Sequence, residues 1–392
     1  MPNLQTVRTN ATFDGKLYPI DGAADPRFAR VVEKFIENFS EGTETGACVS
    51  IVYKGETVVD LWGGFKDRHK SKPWEKHTIT NLMSVAKAIT ATCFFLLVER
   101  GFANENDPVA KYWPEFAQAG KKDIPIRWVM DHRAGIPVLD PSPPPGTIYD
   151  WDAMCAAIAR QAPIFPPGEK CAYHVFNQGF IVGEIVRRIT GMSIGAFFRK
   201  EFSEPMSLEY WIGVPPNIAD RCADYIVHPD FVEFVTSKPD TKEGIAWAQL
   251  DAGEDFNSAK FRSAEIPSAG AHGNARGLAR FFGMLANGGE FQGKRYLKPE
   301  TIARMTQEQH FTPQELMPLH YHQAFGFILN SPPNVPMGPN PKAFGHHGAG
   351  GCIGMADPAA NIAFGYGMNA MAMGLPNGER AQKMIRAMFE SL

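Results

Sequence analysis

Ser84 and Lys87 stand three residues apart in Met83-Ser84-Val85-Ala86-Lys87, the only S-x-x-K in the chain. In a helix, positions i and i+3 lie on one face, so Lys87 Nζ can reach Ser84 Oγ. The pair breaks a rule of helix ends. Ser84 is a natural N-cap, and a capping box would put Glu or Gln three residues later, where it suits the positive end of the helix dipole. This chain puts a lysine there. The dipole and the apolar neighbours Leu82, Met83, Val85 and Ala86 favour the neutral amine over the ammonium. A neutral lysine is a base, and a serine beside it becomes an activated nucleophile. The competing reading is a capping serine followed by a solvated lysine.

The elements that must hold this pair are legible from periodicity. Ile89, Cys93, Leu96 and Leu97 form one apolar stripe after Ser84, and Gly101 stops the helix. Upstream, Phe28, Val31, Val32, Phe35 and Ile36 share a helical face, and ACVSIVYKGETVVDLWGG reads as two strands around Lys54-Gly55-Glu56. From about residue 104 to 260, proline and glycine turns separate helical patches such as WDAMCAAIARQ and FNQGFIVGEIVRRITG, with Gly191 as a C-cap. After 267, ARGLARFFGMLANGG is a helix, AFGFIL, GCIGMADP and NIAFGYGMN are short strands, and GERAQKMIRAMFESL is a closing helix. Strand and helix patterns at both ends thus bracket a helical middle. They predict an α/β (α+β) fold: a discontinuous domain from 1–83 and 262–392, and a mostly helical domain over 84–261, with the site in the cleft between them.

Composition removes several classes. The chain has 392 residues, 44% hydrophobic and 21% charged, with a formal net charge of -3. That balance gives no reason to expect nucleic acid or an acidic membrane as partner. MPNLQTVRTNATFDGK has no basic stretch followed by an apolar one, and no apolar run is long enough to cross a bilayer, so the sequence predicts an unexported, cytoplasmic protein. Cysteines 48, 93, 155, 171, 222 and 352 are scattered without a CxxC, as reduced thiols would be. His320-Tyr321-His322 and His346-His347 match no metal motif, and adjacent strand histidines are expected on opposite faces, so no metal and no cofactor is predicted. Gly191-Met192-Ser193-Ile194-Gly195 is a G-x-S-x-G, but a nucleophile elbow needs a strand before the serine, and a helix runs up to Gly191 instead. Ser193 reads as the N-cap of IGAFFRKEF.

Several segments together resemble the class C β-lactamase superfamily, and within it the carboxylesterases (family VIII type) that share the serine β-lactamase-like fold. They are NLMSVAKAIT (81–90), WVMDHRAGIP (128–137), PPGEKCAYHVFNQGFIVGEIVRRITG (166–191), IPSAGAHGNARGLARFFGMLANGG (266–289), FGHHGAGGCIGMADP (344–358) and GYGMN (365–369). Their order and spacing carry the resemblance, over roughly residues 25 to 390. It implies an antiparallel sheet flanked by helices, with Ser84 as acylated nucleophile, Lys87 as base and Tyr173 as catalytic tyrosine. The phenol, made acidic by a neighbouring ammonium, would protonate the leaving group and then activate water. The amides of Ser84 and Ala349 would form the oxyanion hole. His346, His347, Gly348 and Gly350 would line the substrate, the glycines Gly350 and Gly351 letting the strand approach it closely.

Two departures shape the functional reading. Tyr173-His174-Val175 stands where β-lactamases have Tyr-x-Asn, and His346-His347-Gly348 where they have Lys-Thr-Gly. The first lacks an amide-binding asparagine. The second replaces a permanent cation by a histidine that is partly charged near neutral pH. Both fit a neutral small-molecule ester better than a β-lactam, and the resembling esterases commonly show H-x-G there. The expectation is a serine esterase that uses only ester and water. Alternatives are an amide-cleaving relative (β-lactamase, D-aminopeptidase or amidase), an acyltransferase, or a binding or assembly protein without turnover. The physiological substrate and the oligomeric state are not encoded in anything legible.

Overall fold

The protein is described from a computed structural model, which covers residues 2–237, 241–247, 255–316, 320–373 and 378–392. Residues 238–240 and 248–254 of the expected helical middle lie outside that description. One ten-stranded, wholly antiparallel sheet organises the fold. Its order is Gln5–Phe13, Lys16–Ala24, Glu56–Gly64, Gly46–Tyr53, Ile362–Met368, Ile353–Asp357, Phe344–His347, Ile328–Leu329, His320–Gln323 and His310–Pro313. Strands from the two ends of the chain meet at its centre, where Ile362–Met368 pairs with Gly46–Tyr53.

Alternation along Ile362–Met368 assigns the two faces. A side chain added at Gly365 would collide with the backbone of Ala275 and Ala279, so the Ala275–Ala286 helix lies on that face. The next residue, Tyr366, points the other way and meets Glu44, which is paired with Arg380 of the Gly378–Phe389 helix. The Ala29–Ser40 helix packs beside that closing helix. Most expected helices and strands are found close to their predicted bounds, Gly191 (φ +71) ending Asn177–Thr190 included, but of the expected strand AFGFIL only Ile328–Leu329 pairs as one.

One element differs in kind. The helix after Ser84, Ala86–Glu99, is no amphipathic surface helix: every residue from Ala86 to Leu97 is buried. It runs through the middle of the molecule, against Asn177–Thr190, Ile194–Phe198 and Pro299–Met305. Each large apolar side chain so enclosed contributes about 1.5–3 kcal/mol. A lysine in its first turn is therefore surrounded by protein, not by water. A small second sheet, Thr80–Asn81, Ala271–Gly273 and Tyr210–Ile212, brings the chain to the start of this helix.

Candidate active site

Ser84 occupies a single 3-10 turn, Met83–Val85, that feeds the buried helix. It is not the N-cap that its type predicts: the helix begins after Val85, with no side chain capping it. The hydroxyl is left for Lys87, whose Nζ lies 3.5 Å from Ser84 Oγ. The turn is strained. Met83 holds φ +45, which costs a non-glycine residue roughly 1–3 kcal/mol. Asn81 fastens it, its side-chain oxygen accepting the Met83 N–H at 2.9 Å and its side-chain nitrogen donating to Met83 Sδ at 3.4 Å.

Lys87 is fully buried. Its Nζ donates to the carbonyls of Val175 at 2.9 Å and Ser268 at 3.0 Å. Burial holds its pKa well below the ordinary lysine value, and no carboxylate acts against it among the described residues. A neutral amine has two N–H groups and one lone pair. With both N–H groups engaged by carbonyls, the lone pair is left to face Ser84 Oγ.

Tyr173 completes the cluster, with Lys87 Nζ 4.6 Å from its ring centroid. Burial pushes its pKa up, and its hydrogen bond with Ser84 acts the other way. The expected acidified phenol is thus corrected. Burial disfavours the ammonium on Lys87 and the phenolate on Tyr173 alike, so the phenol holds its proton more tightly than a free tyrosine does. Its ring sits among His132 (4.5 Å between centroids), Tyr321 (5.8 Å) and His346 (6.4 Å).

The histidines are also corrected. Burial, the largest cause, drives His346 well below 6.5 and takes His347 down to about 3. Both are neutral at physiological pH. Strand alternation predicts them on opposite faces, yet their rings are 5.6 Å apart, His347 lying 5.4 Å from Tyr321. His347 is the last residue of its strand, where the chain already bends toward Gly348. His174 is a buried structural group: its Nδ1 lies 2.7 Å from the Ala172 carbonyl, and burial lowers it to about 3. Its backbone N–H donates to His132 Nδ1 at 3.1 Å, which puts the proton of neutral His132 on Nε2.

The glycine-rich segment abuts the serine turn. A Cβ at Gly348 would lie 2.7 Å from Met83 Cβ and 2.8 Å from the Leu82 carbonyl, so only glycine lets the strand come this close to Ser84. Among the described residues, the Ala349 N–H has no backbone acceptor, while its carbonyl takes the Tyr225 hydroxyl at 2.7 Å. Gly350 differs from expectation. The space a side chain would need there is filled by Met368 and Tyr225, so its openness serves protein packing and not substrate approach. Ser193 is far from this chemistry in kind: it caps Ile194–Phe198 through the Ala196 N–H at 3.2 Å and donates to Glu265 Oε1 at 2.6 Å.

Sequence reasoning missed Asn81, His132, Tyr225 and the carbonyls of Val175 and Ser268. Asn81 was detectable in principle, since an asparagine two residues before a strained position marks an Asx turn. The two carbonyls carry no residue-type signal at all.

Comparisons with known proteins show the family and the fold. A family model described as Beta-lactamase matches residues 28–388, and the chain belongs to that family. It is 32% identical over 366 residues to the Esterase/beta-lactamase LipL of Mycobacterium tuberculosis, covering 88% of this chain and 81% of that protein. Among solved structures, a penicillin-binding protein homologue from Caulobacter crescentus superposes with TM-score 0.86 at 36% identity, covering 95% of this chain and all (100%) of the other. A family VIII carboxylesterase gives TM-score 0.85 at 37% identity, with 95% and 100% covered. The protein is a hydrolase with the β-lactamase-like fold and esterase relatives. None of the described helices is long and apolar enough to cross a membrane.

Proposed function

We propose that the protein is a carboxylesterase acting on small neutral esters through an acyl-enzyme on Ser84. The observation that carries this reading is the buried Lys87, its amine pushed toward the neutral form by burial and donating to two carbonyls beside Ser84 Oγ. Lys87 takes the hydroxyl proton as Ser84 Oγ attacks the ester carbonyl. The Ser84 and Ala349 amides hold the tetrahedral oxyanion. Tyr173, protonated at rest, gives its proton to the departing alkoxide and is replenished from Lys87. In the second half the same groups take a proton from water, which attacks the acyl carbonyl and frees Ser84. The cleft between the sheet-bearing part (1–83 and 262–392) and the helical part (84–261) would receive the substrate.

The neutral histidines at 346 and 347 favour esters over β-lactams, because they offer no fixed cation to a substrate carboxylate. Cleavage of β-lactams is the second reading, favoured by the name of the LipL relative. Steady-state rates on a p-nitrophenyl acyl ester, a chromogenic cephalosporin and a D-aminoacyl amide, each with wild type and Ser84→Ala, decide between them. Ester turnover that vanishes in Ser84→Ala supports the proposal; turnover that survives the substitution removes it. Adding a competing alcohol and looking for the transesterified product tests acyl transfer. A binding protein without turnover would take no mass adduct from a fluorophosphonate.

A further inference from the structure

The Ala349 amide is aimed from the far side of the sheet. Gly348–Gly351 is a four-residue turn closed by the Gly351 N–H and the Gly348 carbonyl at 3.1 Å. Gly350, at φ +88, fills the third position as a type II turn requires. Within one peptide plane the C=O and the following N–H point in opposite directions. Whatever fixes the Gly348 carbonyl therefore fixes the Ala349 N–H. The Gly348 carbonyl is held by the Gly351 N–H, and that N–H shares its plane with the Gly350 carbonyl. The Gly350 carbonyl in turn accepts from Arg380 Nη2 at 2.9 Å and from the Ala372 N–H at 3.2 Å.

Arg380 is itself immobilised. It is buried, Nη1 donates to Glu44 Oε2 and the Thr43 carbonyl at 2.8 Å each, and Nη2 also donates to the Ala370 carbonyl at 2.9 Å. Glu44 is buried too, and its other oxygen takes the Tyr366 hydroxyl. A buried ion pair is a poor source of net stability, since desolvation consumes most of the attraction. Its planar, forked donors are well suited to fixing geometry. We infer that the Glu44–Arg380 pair is a positioning device for catalysis, holding the Gly348–Gly351 turn so that the Ala349 N–H points at the developing oxyanion. The inference rests on the proposed role of Ala349 in ester cleavage.

Two variants test it. Arg380→Lys keeps a cation for Glu44 but has one nitrogen where four acceptors need two. Glu44→Gln/Arg380→Met removes both charges, so none is left buried and unpaired. Complete loss of an oxyanion donor costs about 10²–10³ in kcat. A mis-aimed donor is expected to lower kcat about 30- to 100-fold in both variants, with KM changed less than about threefold. Affinity for phenylboronic acid, whose tetrahedral adduct on Ser84 puts an oxygen in the same place, should fall alongside. The two variants should differ in melting temperature while remaining equally slow, a split that a merely structural role would not produce. If folded variants keep wild-type kcat, or lose kcat with unchanged boronate affinity, the inference is overturned and the Ser84 reading stands. If the wild type forms no boronate or fluorophosphonate adduct at Ser84, the site reading fails and takes this inference with it.

Discussion

Replacing Lys87 by methionine tests the claim on which the chemistry depends, that this amine is uncharged in the folded protein. Lysine in an unfolded chain titrates near 10.4. Burial places the folded value well below that. Between the two values the unfolded chain holds one proton more than the native one, so stability rises with pH by about 1.4 kcal/mol per unit. The sign follows from the charge: this contribution is fully present above the unfolded pKa and is lost as pH falls toward the folded one. Below the unfolded pKa the wild type should gain up to about 1.4 kcal/mol per pH unit that Lys87→Met does not. Other terms separate cleanly. Losing the bonds to the Val175 and Ser268 carbonyls lowers the variant by about 1–3 kcal/mol at every pH, an offset and not a slope. Buried thiols such as Cys48, Cys171 and Cys352, each pushed up to about 12 by burial, make both proteins lose stability with rising pH, and this cancels in the difference. The assay is urea unfolding of both proteins at five pH values across the window, on matched ionic strength. Curves that stay parallel within about 0.5 kcal/mol would mean that Lys87 keeps its charge when folded. It then could not serve as the resting base, and the acylation step as written would be wrong.

Three further outcomes are expected. Tyr173→Phe should lower kcat/KM on a p-nitrophenyl ester at least about a hundredfold while the ring stays packed against His132 and Tyr321; an unchanged rate would remove Tyr173 from the proton path. The fold should lose stability on acidification below about pH 6.5, because His174 and His347 (both about 3) and His272 (about 4) stay neutral when folded but protonate on unfolding. Each adds up to about 1.4 kcal/mol per pH unit, opposed by the raised carboxyl of Glu265, and a melting temperature flat between pH 7 and 5 (roughly this window) would contradict it. Ser193→Ala should cost about 1–3 kcal/mol through the lost cap and the lost bond to Glu265, with kcat unchanged in the folded fraction; a dead but folded variant would revive the G-x-S-x-G serine.

What the sequence could disclose follows from where the physics is local. Helix and strand periods, the Lys54-Gly55 turn and the Gly191 stop depend on neighbouring residues, and they read correctly. The Gln5–Ala24 hairpin went unread because its outer strand is the edge of the sheet and almost wholly exposed, so no alternation marks it. The S-x-x-K spacing was legible, but its electrostatics were only half so. The dipole argument at Ser84 anticipated a neutral lysine, yet the dominant cause is enclosure of the whole Ala86–Leu97 stretch, a property of tertiary packing. The same enclosure reverses the expectation for Tyr173. Once the lysine is neutral, no ammonium remains to acidify the phenol, and desolvation raises it instead. The two groups therefore rest in complementary states, an amine able to accept a proton and a phenol able to give one. That is the starting arrangement acylation needs: an acceptor at the nucleophile and a donor for the leaving group, set by one shared cause. The cost is visible elsewhere, in the positive φ of Met83 and in an uncharged lysine held below its preferred protonation state. A strained turn and a desolvated lysine side by side at one serine are what a site shaped by chemistry and not by stability should look like.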